Sequence, residues 1–427
     1  MFTVSKLKNG ATLIKAPIKG TKAVTVMVAF PVGSRYENDK IAGVSHFVEH
    51  MLFKGTQKRP THLEISRELE AQGAEFNAFT GKDSTVYYIK IDGKKINLAL
   101  DLLSDMVFNS KIEKEEVQKE KGVIFEEKKM YEDNPRMHVD SLFEEVMYGK
   151  NDLGRDIVGT NKSLKDLTRE DLWNYYRGSY VPENAFIGVA GNFGKDLHER
   201  MEKYFGGNVK NEVKKWFKKN NFQKVNPLKK ISLSKRISIQ NRKIDQTNVL
   251  LGFPGLNYYD KRRYALEILA HILGGGMSSR LFTEIREKRG LAYGIRADFD
   301  FLRDTGAVYI RTGLDTKRLE EALKTILAEI EKIKNKPVGQ DELQEAKTHL
   351  IGSLALSLEN SKTVALRGAG DVMLGKKIET YEIISKNIKS VTAAQIQKLA
   401  QDLFKKDRLR LAAIGPIKKE EIIKILK

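Results

Sequence analysis

The sequence predicts an α+β fold built twice, in which each of two homologous domains has a mixed or antiparallel sheet packed with helices. Three observations predict this class. The 427 residues suffice for two sizeable cores, a pattern of residues repeats at a nearly constant offset, and strand-like runs partly segregate from helix-like runs. A hydrophobic fraction of 41% beside 31% charged residues is typical of an ordered globular chain.

The repeat connects the two halves of the chain position by position. Matched residues recur in the same order at offsets of 221 to 224 positions: Phe30 with Phe253, His50 with His271, Tyr88 with Tyr309, and Thr168 with Thr392. Several matches in order indicate a duplicated unit of roughly 200 residues, whereas a single match arises by chance. We therefore expect domains at residues 1–207 and 237–427, joined by a linker at 208–236.

Each half contains the periodicities that a mixed sheet with helices requires. A strand, a turn at Asn9-Gly10 and a second strand open the chain. Apolar or alternating runs predict further strands at residues 23–30, 85–91, 185–191, 248–253, 307–312 and 409–415. Apolar side chains spaced three and four residues apart predict helices at residues 64–72, 110–131, 319–333 and 340–358.

The formal net charge of +19 is concentrated in one segment. Residues 208–245 hold twelve Lys or Arg and two acidic residues, a net +10 that makes up about half of the excess. This concentration near the middle of the chain predicts a solvated linker between domains, with a docking site for an acidic partner as the alternative. No recognition motif accompanies the charge, so we do not expect nucleic acid as a partner.

The chain contains no cysteine, which excludes disulfides, thiol catalysis and thiolate metal sites. A metal ion would have to be held by histidine, carboxylate or water. The N-terminal residues lack the apolar core of a signal peptide, and the longest apolar runs of about ten residues are too short to cross a membrane. These features predict a cytoplasmic protein without a membrane partner.

His46, Glu49 and His50 form the first candidate site. The segment around them has helical periodicity, so the two histidines, at positions i and i+4, project from one face and can share a cation. Glu49 is then close enough to touch a metal-bound water without being a ligand. Because a metal lowers the pKa of that water, Glu49 is placed to accept its proton. The alternative is a chance pair of histidines on a helix.

Two histidine ligands need a third ligand from the protein. The predicted helix at residues 110–131 offers six carboxylates: Glu113, Glu115, Glu116, Glu120, Glu126 and Glu127. Glu120 and Glu127 are two helical turns apart and lie on one face, whereas Glu126 points about 100° away from Glu127. One of the aligned pair is expected to bind the metal and the other to support the site.

His46-Phe47-Val48-Glu49-His50 matches the inverted zinc motif H-x-x-E-H of the inverzincins. With the segments at residues 50–56, 73–80 and 120–127, nearly the whole chain resembles the M16 family of zinc metallopeptidases. The similarity is greatest to its short bacterial members, and it includes the mitochondrial processing peptidase beta subunit. In that family the second acid of the glutamate pair is the third zinc ligand. The resemblance therefore implies one Zn²⁺ per chain, with Glu127 as ligand and Glu120 supporting it.

A second set of family motifs lies in the C-terminal half. Residues 274–282 resemble the family's glycine-rich segment, and Arg286 and Tyr293 match its R-x6-Y pair. A guanidinium and a phenol hydroxyl can stabilise an oxyanion or hold a peptide, so the resemblance implies that both complete the active site. Glu267 and Ala270 stand where the first half has its first histidine and its glutamate, so we expect no zinc in this half.

Asn77, Ala78 and Phe79 lie in the segment that resembles the family's G-x-x-x-N-A-x-T motif, and the resemblance implies that they bind substrate backbone. From the residues alone, a conventional loop with a turn-forming asparagine is the favoured interpretation. The alternative is an edge strand that pairs with an extended peptide.

These features predict a zinc-dependent endopeptidase with Glu49 activating the zinc-bound water. The resemblance further implies that it hydrolyses short or unfolded peptides inside a chamber. The family's enclosure needs four such domains, so the resemblance implies two clamshells of two domains each. Because one chain carries both sets of motifs, we expect a homodimer. The alternatives are a catalytically silent subunit with a structural role and an obligate heterodimer.

Overall fold

The computed structural model describes residues 2–207 and 231–426, so most of the predicted linker lies outside the described residues. The described strands are β1 (Thr3–Lys6), β2 (Thr12–Pro17), β3 (Ala23–Phe30), β4 (Glu75–Thr80), β5 (Thr85–Asp92), β6 (Phe186–Gly191), β7 (Ile237–Asn241), β8 (Gln246–Pro254), β9 (Ala292–Phe301), β10 (Gly306–Asp315) and β11 (Arg410–Gly415).

The described α-helices are α1 (Val44–Met51), α2 (His62–Glu70), α3 (Ile96–Asn109), α4 (Lys114–Asp133), α5 (Pro135–Tyr148), α6 (Asn161–Asp166), α7 (Arg169–Ser179), α8 (Leu197–Phe205), α9 (Arg263–Gly274), α10 (Leu319–Asn335), α11 (Gln340–Ser357), α12 (Ser361–Met373), α13 (Tyr381–Ser390), α14 (Ala393–Leu403) and α15 (Lys419–Leu426). Among them, none combines the length and the apolar composition needed to pass through a bilayer.

The strands form two sheets, and apart from the additional edge strand β1 the equivalent strands follow the same order in both. The first sheet runs β1-β2-β6-β3-β5-β4 and the second β7-β11-β8-β10-β9. In each sheet one neighbouring pair is parallel, β2 with β6 and β7 with β11, and the other pairs are antiparallel. The mixed sheets of the α+β prediction are confirmed, and their common order gives the sequence repeat a structural basis.

The repeat extends to the caps of the helices. Thr168 precedes α7 and Thr392 precedes α14, and each forms a capping box with the residue three positions on. Because each threonine side chain accepts a hydrogen bond from an otherwise unsatisfied backbone N–H, both helices begin where the sequence pattern predicts.

Helix α4 begins four residues later than predicted and ends two residues later. Ser110 forms an isolated antiparallel bridge with Thr56, which keeps the residues before Lys114 out of the helix. At the other end, Asn134 precedes Pro135, and a residue before proline disfavours helical backbone. The shift leaves Glu120 and Glu127 within the helix, on the face predicted for them.

The contacts divide the chain into two units that are discontinuous in sequence. Unit 1 comprises the described residues of Met1–Lys128, Asp156–Phe222 and Leu354–Thr380. Unit 2 comprises those of Lys129–Arg155, Gln223–Ser353 and Tyr381–Lys427. This division differs from the continuous domains expected at 1–207 and 237–427, because each unit contains one segment from the other half of the sequence.

In unit 1 that segment is α12, which covers one face of the first sheet. Val364, Ala365 and Ala369 pack against sheet residues such as Met27 and Tyr88 in a buried cluster. Ser361 at the start of the helix shares a buried 2.8 Å hydrogen bond with Thr25 of β3. A Cβ atom on Gly188 of β6 would lie 3.0 Å from the carbonyl oxygen of Ala365, so the small residue permits close packing of helix on sheet.

In unit 2 the corresponding segment is α5, which packs on the second sheet. Val139, Phe143 and Met147 join strand residues of β8, β10 and β11 in a buried cluster. Asn134 and Asn360 cap α5 and α12 in the same way, each accepting a hydrogen bond from the backbone N–H two residues on. The two helices are therefore equivalent elements of the repeat, and each lies in the unit opposite to its half of the sequence.

A fragment of residues 1–207 is expected to fail to fold by itself. Without α12, apolar side chains including Met27, Val86 and Tyr88 lose their cover. Each fully buried apolar side chain contributes about 1.5–3 kcal/mol, against a total stability of about 5–15 kcal/mol. Thermal unfolding followed by circular dichroism measures this, with co-expressed fragments 1–207 and 208–427 as control. A cooperative transition of the single fragment at the full-length Tm would contradict the expectation.

Candidate metal centre

Helix α1 has a buried apolar side and a polar side. Val44, Phe47, Val48 and Met51 are fully buried. The helix begins after Gly43, whose φ of 91° lies in the left-handed region that favours glycine. A Cβ at Gly43 would also lie 2.4 Å from the carbonyl oxygen of Val158, so this start admits no larger residue without a shift.

Glu37 holds the first turn of α1. Its carboxylate accepts hydrogen bonds of 2.8 Å from the backbone N–H groups of Gly43 and Ser45. These donors are otherwise unsatisfied at a helix start, and the negative charge suits the positive end of the helix dipole. The imidazole rings of His46 and His50 project from the helix held in this way, with their centroids 4.5 Å apart.

Glu127 of α4 meets both histidines. Its Oε2 lies 3.4 Å from Nε2 of His50 and 3.6 Å from Nε2 of His46. The ligand atoms of the three side chains all lie within 4.8 Å of one another. Across residues 2–207 and 231–426, no other group of three or more His, Asp or Glu side chains comes this close together. The structure thus assembles the three residues expected to bind the metal.

The separations between these donors fit Zn²⁺. Zinc binds imidazole nitrogen and carboxylate oxygen at about 2.0–2.2 Å, and tetrahedral geometry then separates two ligand atoms by roughly 3.3–3.6 Å. The distances of 3.4 and 3.6 Å from Glu127 fall in this range. Two nitrogens and one carboxylate oxygen also leave a fourth position for a reactant, as catalytic zinc sites require.

The two histidines have opposite protonation preferences in the metal-free protein. Burial lowers the pKa of His46 to about 4, and the neighbouring His50 lowers it as well, so its imidazole is neutral at pH 7. Burial also opposes charging of His50, but hydrogen bonds to Glu120 and Glu127 outweigh burial and raise its pKa to about 9. The two carboxylates thus favour a positive charge at this position, which a divalent cation supplies.

Glu120 supports His50 from the side away from Glu127. Its Oε1 lies 2.8 Å from Nδ1 of His50, and its Oε2 lies 2.5 Å from Nζ of Lys54. Burial raises the pKa of Glu120, but the hydrogen bonds from His50 and Lys54 outweigh it and keep the pKa below the ordinary value. An ionised Glu120 accepts a hydrogen bond from Nδ1–H of His50, which leaves Nε2 as the nitrogen that would bind a metal once its proton is lost.

Glu49 lies beside the three donors and is not one of them. Its Oε2 accepts a 2.5 Å hydrogen bond from the hydroxyl of Thr80, at the end of β4. Burial raises the pKa of Glu49, and the Thr80 hydrogen bond partly offsets this effect. A carboxylate with a raised pKa that is held by a second residue has the properties of a general base.

Asn77, Ala78 and Phe79 lie in β4, so the expected loop is wrong at this position. They pair with Tyr88, Tyr87 and Val86 of β5, and alternate side chains of β4 are exposed. The turn at Gly73, where φ is 64°, comes directly before β4 and positions the strand for this pairing with β5. Among the described strands β4 stands at the edge of the first sheet, which is the alternative that the sequence left open.

Arg286 and Tyr293 are neighbours in unit 2. Arg286 lies in the short helical segment Phe282–Glu287, and its guanidinium carbon is 4.7 Å from the ring centroid of Phe282. The same carbon lies 4.9 Å from the ring centroid of Tyr293, which is 79% exposed at the start of β9. The sequence pair therefore forms one surface feature, with the phenol hydroxyl open to a ligand.

Two supporting residues carry no predicted role in the sequence. Lys54 pairs with Glu120, and Thr80 donates to Glu49. Both lie within segments that resemble family motifs, but only the fold reveals their partners. Lys54 follows His50 by four residues but lies beyond the end of α1, so helical spacing does not reveal this pair.

A two-unit α+β protein with two histidines and one glutamate as donors, and with the half-buried Glu49 beside them, has the arrangement of the inverted-motif metallopeptidases. Residues 14–161 match the family model described as "Insulinase (Peptidase family M16)". Residues 166–350 match the model described as "Peptidase M16 inactive domain". The chain belongs to peptidase family M16.

Relatives match the chain over nearly its full length. The uncharacterized zinc protease YmxG of Bacillus subtilis is 35% identical over 96% of this chain and 97% of its own length. An uncharacterized zinc protease of Rickettsia felis is 35% identical over 97% of this chain and 98% of its own length. The crystal structure of a protease from Helicobacter pylori has a TM-score of 0.89 at 23% identity, covering 97% of this chain and 99% of the other, and it supports the fold.

Proposed function

We propose that this chain is a zinc-dependent endopeptidase that hydrolyses short or unfolded peptides. The observation that carries the proposal is the convergence of His46, His50 and Glu127 beside Glu49. The relatives named zinc proteases favour the same activity. One Zn²⁺ per chain would be held by the two Nε2 atoms and the Glu127 carboxylate.

When bound, Zn²⁺ supplies Lewis acidity that polarises a peptide carbonyl and makes water acidic near neutral pH. Glu49 accepts the proton of the attacking water and later passes it to the leaving amine, which restores its carboxylate. Thr80 holds the Glu49 side chain in place for both transfers. Glu120 fixes the orientation of His50 through Nδ1.

The edge strand β4 offers a way to bind an extended peptide. We propose that substrate backbone pairs with Asn77, Ala78 and Phe79 as an added strand. Thr80 ends the same strand and contacts Glu49, so a peptide aligned on β4 is guided toward the catalytic carboxylate. Backbone pairing tolerates many side chains, which suits a peptidase for unfolded substrates.

Arg286 and Tyr293 are proposed to stabilise the oxyanion or to hold the peptide. The substitution Tyr293→Phe is expected to lower kcat by about 10²-fold, the typical effect of losing one oxyanion donor. Zinc affinity should be unchanged. Steady-state hydrolysis of a fluorogenic peptide measures kcat, and Tyr259→Phe, at another exposed tyrosine of unit 2, is the control. An unchanged kcat for Tyr293→Phe would remove this role.

Glu120 is proposed to support the metal ligand His50. The substitution Glu120→Gln is expected to weaken zinc binding by about 10–100-fold, as is typical for partners of metal-bound histidines. Competition with a coloured chelator measures the affinity. Glu115→Gln, at an exposed position of the same helix, is the matched control. Equal affinities for the two variants would show that Glu120 does not act on the metal site.

A homodimer enclosing a chamber is the proposed assembly, because both family motif sets lie in one chain. We also propose a cytoplasmic location and peptides, rather than nucleic acid, as partners.

The set of expected zinc ligands is intact, which argues against a catalytically silent subunit. Light scattering coupled to size exclusion separates the homodimer from a subunit that needs a different partner chain. Activity of the purified chain decides whether it is catalytic without such a partner.

Zinc quantification combined with mass-spectrometric mapping of a cleaved peptide library tests the proposed activity. We expect about one zinc per chain and cleavage at internal peptide bonds that stops after chelation and returns with added Zn²⁺. A zinc-loaded chain that leaves the whole library intact would contradict the proposal.

A further inference from the structure

Unit 2 contains a cavity of about 540 Å³ whose lining residues all belong to that unit. Small-molecule sites typically have volumes of about 300–1,000 Å³ and mostly apolar walls with few polar groups. None of the residues assigned to zinc, proton transfer or peptide binding lines this cavity. It is therefore a separate site from the proposed catalytic one.

The wall of the cavity is mainly apolar. Phe253 of β8 and Phe404, just after α14, form its aromatic part with ring centroids 5.0 Å apart. Leu327 and Ile330 of α10 and Leu409 complete the apolar lining. Because these side chains come from a sheet and two helices, the space is formed before any ligand arrives.

Arg236 gives the cavity one buried positive group. It is only 9% exposed, and its Nη1 donates to the carbonyl oxygens of Lys406 at 2.7 Å and Leu409 at 3.3 Å. Its Nε is buried and makes no hydrogen bond to any described residue. A guanidinium has five N–H donors, and Lys406 and Leu409 engage only Nη1. Because Arg236 lines the cavity, an acceptor there can use donor capacity that the protein leaves unused.

Arg280 shows what the Nε and Nη2 atoms of an arginine in this chain can bind. Nε and Nη2 of Arg280 donate to the two carboxylate oxygens of Glu342, at 2.7 and 2.6 Å. This paired geometry is the strong mode of arginine–carboxylate recognition. Arg236 has no ion pair of this kind with a described residue, although it lines a cavity large enough for a ligand.

The charges around Arg236 leave room for an anion. Arg410 is nearly fully buried close by, and burial together with the charge of Arg236 lowers its pKa to about 10. The charge of the exposed Asp407 opposes this effect and raises the pKa of both arginines. Glu331 at the rim pairs with Lys334 at 2.5 Å. Two buried guanidinium groups therefore lie close together, and the exposed Asp407 is a neighbour of both.

We propose that this cavity binds a small amphiphilic carboxylate of the fatty-acid type. The apolar chain lies against Phe253 and Phe404, and the carboxylate accepts from Arg236. An alcohol of the same length lacks the charge for the guanidinium, and a cationic amphiphile is repelled by it. The site is independent of the zinc chemistry proposed above, so metal-free and zinc-loaded protein should bind the ligand equally.

Titration calorimetry of the full chain with decanoate, decanol and decyltrimethylammonium tests the proposal. We expect saturable 1:1 binding of decanoate, at least about tenfold weaker binding of decanol, and none of the cation. Decanoate binding that is no tighter than decanol binding would overturn the carboxylate assignment. Absence of saturable decanoate binding near 1 mM, a weak limit for a specific site, would overturn the site itself.

Two variants test whether the ligand binds in the cavity. Arg236→Gln is expected to remove the preference for decanoate over decanol, whereas Leu327→Trp fills the space and should abolish binding of both. Lys324→Gln, exposed on the same helix and outside the lining, is the control and should bind as the unmodified chain does. Unchanged decanoate affinity in Leu327→Trp would overturn the location, even if Arg236→Gln failed to fold.

Discussion

Glu49→Gln is expected to lower kcat/KM for peptide hydrolysis by about 10²–10⁴-fold while zinc binding persists. The amide keeps the size of the carboxylate and can still accept the Thr80 hydrogen bond, but it cannot take a proton from water. Glu49 is absent from the group of donors around the metal position, so zinc affinity should not depend on its charge.

Fluorogenic peptide kinetics and elemental zinc analysis on the same samples separate the two effects. Glu126→Gln, an exposed residue beside the ligand Glu127, is the control and should behave like the unmodified protein. A Glu49→Gln protein that still cleaves at the original rate excludes Glu49 as the base. One that loses zinc as well as activity assigns Glu49 to metal binding instead.

Glu127→Gln is expected to remove most zinc binding, and activity with it. Its carboxylate oxygen is the atom shared by both histidines, at 3.4 and 3.6 Å from their Nε2 atoms. The amide loses the negative charge that favours a cation at this position. The fall in zinc affinity should exceed the roughly 10–100-fold expected for Glu120→Gln, which acts only through His50.

Chelator competition across Glu120→Gln, Glu126→Gln and Glu127→Gln gives a direct ranking. We expect the largest loss at Glu127, a smaller loss at Glu120 and none at Glu126, although Glu126 adjoins Glu127 in sequence. Circular dichroism should show unchanged helix content in all three. Equal zinc affinity for Glu126→Gln and Glu127→Gln would contradict the proposed ligand set.

Local sequence patterns were enough to predict much of the metal centre. The spacing of His46 and His50 places both imidazoles on one helix face, and the two-turn spacing of Glu120 and Glu127 does the same on α4. Such spacings are set by helix geometry alone. Assigning ligand and supporting roles to the two glutamates needed the family resemblance, and the structure puts each next to a different nitrogen of His50.

Features that depend on distant partners could not be predicted from those patterns. Asn77 and Ala78 suit a loop locally, but pairing with β5 makes them part of a strand. The contact of Thr80 with Glu49 spans 31 residues, and no local pattern encodes it. The sequence pattern predicts neither α5 nor α12, and only tertiary contacts assign each of these helices to a unit.

The reciprocal placement of α5 and α12 bears on how the chain evolved. An ancestor with one half of this sequence would leave one face of its sheet uncovered, unless two copies exchanged that helix. Such copies complete each other as a swapped dimer, and fusion of two genes would preserve the exchange within one polypeptide. On this view the ancestor was a pair of chains rather than a free-standing domain. Fusion then made its assembly independent of concentration.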